Sequence, residues 1–75
     1  MKELVEYIAK AIVNSPDDVV VTEEASDQGV MLKLQVADED KGRVIGKQGR
    51  VAEAMRILLR VTAAKQGTRV TLQIV

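Results

Sequence analysis

Two glycines three positions apart, Gly46 and Gly49, separate two segments of helical pattern. That break constrains the fold of this chain more than any other feature. The stretch reads "GRVIGKQGRV", residues 42–51. Glycine permits positive φ, so a Gly-x-x-Gly turn reverses the chain sharply, and its missing side chains let another backbone come close. The preceding segment, "DEDKGRVI", reads as a short helix, with Asp38 or Asp40 able to cap its start. The following helix runs from about Arg50 to Lys65, and Gly67 ends it. The turn thus lies beside the free N–H groups and the positive dipole end of a long helix. Arg43, Lys47 and Arg50 add full charges there. Such a turn suits a phosphate backbone.

The remaining segments supply a sheet and one more helix. Leu4, Val5, Ile8, Ala11 and Ile12 recur at helical spacing over residues 2–13, with Glu3, Glu6 and Lys10 outside. "NSPDD" ends that helix, since Asn14 can take a left-handed cap and Pro16 blocks continuation. "VVVTEEA" reads as a short strand, "SDQG" as a turn, and "VMLKLQVA" as a second strand with Val30, Leu32, Leu34 and Val36 on one face. These two strands are expected to form an antiparallel hairpin. "TRVTLQIV" gives a third strand, with Val70, Leu72 and Ile74 on one face. The order α-β-β-α-α-β, without linker or repeat, makes residues 1–75 a single domain and a two-layer α+β sandwich.

The net charge is zero, but its distribution is not even. Residues 1–40 carry three lysines against ten acids, a net of −7, and residues 41–75 carry eight cations against Glu53 alone, a net of +7. Charges more than about 8 Å apart are screened at physiological salt, so a bound anion responds to the local patch rather than to the total. Pairing between the halves accounts for part of this asymmetry, but not for three cations gathered around two glycines.

Several chemistries drop out. With no Cys and no His, there are no disulfides, no Cys/His zinc sites, no thiol nucleophile and no His-based triad. No carboxylate pair stands out as an acid–base couple, so an enzyme is not expected and no cofactor or metal is implied. The acids of "DEDK" do not converge within one helical turn and lack the spacing of a calcium loop. Glu53, Arg56 and Arg60 stand at helical contact spacing and read as a surface ion-pair face. No apolar run approaches the roughly 18 residues of a membrane span, and the charged start is not that of a signal peptide, so a cytoplasmic chain is expected. Phosphate-binding alternatives fail on spacing: Gly42 and Gly46 are too close for a P-loop, and no Gly-x-Gly exists for a dinucleotide fold.

"VIGKQGRV" resembles the signature of the KH domain, an aliphatic pair followed by Gly-x-x-Gly. The resemblance covers nearly the whole chain, and the element order matches the bacterial type II KH fold, in which three helices pack on one face of a three-stranded sheet. It implies a small RNA-binding protein, a chaperone or regulator, whose glycine loop clamps the backbone of about four nucleotides of single-stranded RNA. Carried over by position, Gly46 and Gly49 are the clamp glycines and Lys47 and Gln48 the variable pair at the tip. Val44 and Ile45 form part of the apolar floor for bases, and Lys41, Arg43 and Arg50 face the phosphates. One departure is notable. Many KH domains carry a large aliphatic residue three positions after the second glycine, where this chain has Ala52, so the floor there is expected to be shallower or rotated, which bears on base selectivity but not on the phosphate clamp. Tyr7 is the sole aromatic residue, so an aromatic stacking platform is not available.

The helix from 50 to 65 holds more apolar surface than one sheet needs. Its apolar residues span an arc of roughly 220°, against the roughly 100° stripe of a helix lying on a core. Val51, Met55 and Leu58 are assigned to the sheet. Ala54, Ile57, Val61 and Ala64 are left as a candidate dimer surface, for a homodimer or for pairing with a larger KH-containing protein. Two rivals remain open: a dimerisation or docking module with incidental RNA contact, and a ribosome-assembly factor sharing the same loop.

Overall fold

The computed structural model describes all 75 residues. Helix α1 spans Lys2–Ile12, strand β1 Val20–Ser26, β2 Gly29–Gln35, α2 Lys41–Ile45, α3 Arg50–Lys65 and β3 Val70–Ile74. Single 3₁₀ turns occupy Pro16–Asp18, Asp38–Asp40 and Lys47–Gly49. The order is the expected α-β-β-α-α-β.

The three strands form one mixed sheet in the order β1-β2-β3. β1 and β2 make the expected antiparallel hairpin, with Ser26 opposite Gly29 across a two-residue turn. β3 runs parallel to β2, pairing Leu32 with Leu72 and Leu34 with Ile74. The alternation read from the sequence decides which face packs. Val21, Leu32, Leu34 and Leu72 are buried on the helix side, while Met31 and Gln73 are exposed. Val5 and Ala9 of α1, Val44 of α2, and Met55 and Leu59 of α3 complete the core. Leu32, Leu34, Met55 and Leu59 are essentially without exposure. Truncating any one of them to alanine is expected to cost about 2–5 kcal/mol. A core of this size supplies only about 3–5 kcal/mol net, so each is needed for folding.

Three local expectations are corrected. α1 ends in an extended Val13, not in a left-handed Asn14. Ala9, not Ala11, faces the core. Leu58 is 48% exposed instead of lying on the sheet; Ala52, Met55 and Leu59 take that role. The last difference follows from where α3 sits. α3 packs on the β3 side of the sheet and against α2, so its buried stripe is rotated toward Ala52 and Leu59.

Candidate nucleic-acid interface

α2 is only five residues long, and its geometry is imposed from both ends. At the N-terminal end, Asp40 is fully buried and does not cap α2. Its carboxylate instead accepts hydrogen bonds from the backbone N–H groups of Asn14 and Ser15, at 3.1 and 3.0 Å. It also pairs with Arg43 Nε at 3.7 Å. A buried carboxylate needs such partners, and here they fasten the α1–β1 connection to the start of α2. At the C-terminal end the chain turns left-handed three times in four residues: Gly46 at φ 77°, Gln48 at 58° and Gly49 at 74°. The two glycines have different reasons. A Cβ on Gly46 would lie 2.4 Å from Val51 Cγ2, whereas one on Gly49 would meet open space. Gly46 is needed for close packing of the turn on α3, and Gly49 for conformation alone.

α3 begins at Arg50 with Gly49 as its N-cap and no side-chain cap. Its positive end therefore opens at the turn. Lys47, Gln48 and Arg50 are exposed there, and Arg50 Nη2 donates to Gln48 Oε1 at 3.4 Å. The four cations expected at the turn, together with Arg56 further along α3, fall into two sets. Lys41 is paired with Asp38 at 3.3 Å and Arg43 with Asp40. Lys47, Arg50 and Arg56 have no carboxylate within 4 Å. The ion-pair face expected for Glu53, Arg56 and Arg60 does not form. Arg56 turns the other way, and its Nε donates to the backbone carbonyl of Leu72 at 3.4 Å.

Beside the turn, a groove runs between α3 and the free edge of β3. Ile45, Gly49, Ala52, Arg56, Leu72 and Ile74 line it, with Met31, Thr71 and Gln73 at its margin. Of the aliphatic pair read as the floor, only Ile45 qualifies. It is 40% exposed, while Val44 is fully buried in the core. Sequence reasoning missed Arg56 and the β3 edge as parts of this groove. The available signal was helical spacing, since Arg56 follows Ala52 by four residues and shares its face. A larger recess lies by the hairpin turn, around Ser26, Asp27, Thr68 and Arg69. It adjoins the C-terminal end of α3, whose dipole repels anions, and an acid, Asp27, lines it as well as Arg69. The groove by the glycine turn is the better candidate.

A glycine turn at an open helix start, unpaired cations and an aliphatic groove define a nucleic-acid-binding module of the KH type. Comparison with known proteins carries this further. The family model described as "KhpA/KhpB, KH domain" matches residues 2–74, and this chain belongs to that family. It is 48% identical to "RNA-binding protein KhpA" of Clostridium acetobutylicum over 75 residues, all of each chain. It is 45% identical to the Listeria monocytogenes protein of that name, covering all of this chain and 99% of the relative. For the Treponema pallidum protein the identity is 46% over 74 residues, 99% of this chain and 92% of the relative. No solved structure matched the chain significantly. The membership agrees with the expectation of a non-enzymatic protein. No helix is long and apolar enough to cross a membrane.

Proposed function

We propose that this chain is a small RNA-binding protein that clamps the backbone of single-stranded RNA with residues 46–49 and lays bases in the groove between α3 and β3. The observation that carries this reading is the left-handed turn at the uncapped start of α3, flanked by Lys47 and Arg50 with no carboxylate partner. Relatives named RNA-binding protein KhpA support it. The family resemblance extends the reading to a cytoplasmic RNA chaperone or regulator. Replacing Lys47 and Gln48 by aspartates removes one positive charge and adds two negative ones where phosphate is bound. Both glycines remain, so circular dichroism should be unchanged. Fluorescence anisotropy with a short single-stranded RNA should show binding falling at least tenfold. Undiminished binding in a folded double variant would sink the assignment.

A second reading concerns α3's outer face. Ile57, Leu58 and Val61 are about half exposed, and Ala54 and Ala64 beside them are exposed as well. This stripe fits the expected dimer surface, with Leu58 added to it. It supports pairing with a second copy or with a larger, KhpB-like KH protein; the family description names both members. Analytical ultracentrifugation at micromolar concentration should give a dimer that Ile57→Glu converts to a folded monomer. A wild-type monomer that also fails to bind a purified KhpB-like protein would remove this reading and leave the RNA clamp standing.

A further inference from the structure

The groove holds one cation to which the phosphate clamp gives no role. Arg56 is half-buried, and its Nε is committed to the carbonyl of Leu72 on the free edge of β3. No carboxylate lies within ion-pair distance of it. An arginine bound through Nε keeps its two terminal nitrogens, which form a planar fork of parallel donors. Anchoring one corner of the guanidinium fixes the orientation of that fork. Ala52, one turn earlier on the same face of α3, contributes only a methyl, and the guanidinium is the one charged group among the residues that line the groove.

We propose that Arg56 reads a base. Its terminal fork engages an edge with two adjacent acceptors, either guanine's O6 and N7 or cytosine's O2 and N3. Adenine and uracil place a donor beside an acceptor on every such edge, so they leave part of the fork unpaired. This inference rests on the RNA-binding reading above. A base is favoured over a phosphate by position. Arg56 lies seven residues along α3 from Gly49, about 10 Å at 1.5 Å per residue. Phosphates are met at the turn by the exposed Lys47 and Arg50. A half-buried guanidinium on the groove floor faces what hangs from the clamped backbone.

The test measures anisotropy of the full chain with labelled rA8, rU8, rC8 and r(UG)4, and with r(UG)4 in which 7-deazaguanine replaces guanine. Wild type should bind rC8 or r(UG)4 roughly 5- to 100-fold tighter than rA8 and rU8. The 7-deaza probe assigns the preference: weakened binding identifies guanine's N7 edge, and a preference for rC8 identifies cytosine. Arg56→Lys keeps the charge but loses the fork, so it should bring the four affinities together while rA8 binding changes little. Arg56→Gln provides a second variant should the lysine perturb the fold. A wild type that binds all four probes equally, or an Arg56→Lys protein that keeps the wild-type preference, overturns the inference. Equal loss on every probe also overturns it and makes Arg56 a phosphate contact. If the Lys47/Gln48 double aspartate variant loses binding while preference is independent of Arg56, the clamp stands and base reading by Arg56 fails. If wild type binds none of the probes, both fail.

Discussion

The two edges of the sheet are built from opposite halves of the chain. The β1 edge lies under α1; β1 carries Glu23 and Glu24, and the turn leading into it carries Asp17 and Asp18, all exposed. The β3 edge lies under α3 and faces the groove, with Arg56 on its carbonyl and Lys47 and Arg50 at the adjoining turn. Because β2 is central, the acids of β1 and the cations beside β3 lie at opposite edges of the sheet, while Asp38 and Asp40 stay with Lys41 and Arg43. Exposed strand edges invite pairing with other chains, and charge on the edge opposes it. The β1 edge is protected in this way by acids, which also repel phosphate. The β3 edge lacks such acids, and its Leu72 carbonyl is satisfied by Arg56. A net charge of zero therefore hides a molecule with one edge suited to anions and one that excludes them.

The largest expected effect comes from breaking the β3 side at its tightest point. Gly46→Ala places a Cβ 2.4 Å from Val51 Cγ2 at φ 77°. Backbone strain of about 1–2 kcal/mol then adds to overpacking of about 1–3 kcal/mol. Against a net stability of about 3–5 kcal/mol, the variant should be largely unfolded at 37 °C by circular dichroism. Gly49→Ala meets no neighbour and should cost only the strain, about 1–2 kcal/mol. Equal melting temperatures for the two variants would show that packing of the turn on α3 does not distinguish them.

Periodicity carried most of this fold in legible form. Residues 30–36 alternate between the two faces of the sheet, and the glycine pair marks the break between α2 and α3. What was not legible depended on contacts far apart in sequence. Asp40 resembles a helix cap because caps are local, yet its partners are the N–H groups of Asn14 and Ser15, 25 or 26 residues away. Lys41 and Arg43 are the exception: their partners Asp38 and Asp40 stand only three residues away, at helical contact spacing, so these pairs were open to the sequence. Val44 and Ile45 are adjacent and equally apolar, and only the packing of α2 against α3 tells which is core. Arg56 is missed because a charged residue three positions after Glu53 reads as a surface pair, whereas its side chain reaches the edge of a strand formed 16 residues later.

The division of cations gives a prediction of intermediate size. If three or four phosphates are neutralised, log K should fall against log salt with a slope of roughly −2 to −3 for single strands. Arg50→Ala removes an unpaired cation at the turn. It should weaken binding about 3- to 5-fold at physiological salt and reduce the slope by about 0.7. Lys41→Ala removes a cation already paired with Asp38 and should change affinity less than about twofold. Salt titrations of the two single variants against wild type make the comparison. Equal losses would mean that RNA displaces the Asp38 pair and recruits Lys41.

The smallest effect is expected at the opposite edge, and it tests whether the two edges act independently. Asp18 and Glu23 are exposed and belong to no ion pair, so reversing both to lysine disturbs no contact of the fold. The change adds four units of positive charge to the β1 side. Strands spaced about 4.8 Å apart put β1 roughly 10 Å from β3, and the glycine turn lies beyond the β3 side. The Debye length is about 8 Å at physiological salt and about 30 Å at 0.01 M. The double reversal should therefore alter RNA affinity by less than about threefold at physiological salt and raise it more clearly at 0.01 M. The increase should arise mainly in the association rate, because long-range charge steers encounter more than it holds the complex. Anisotropy at both salt concentrations, with stopped-flow association at the lower, gives the measurement. A rise above tenfold at physiological salt would mean that RNA wraps across the sheet to reach β1, and the two edges would then form one continuous binding surface.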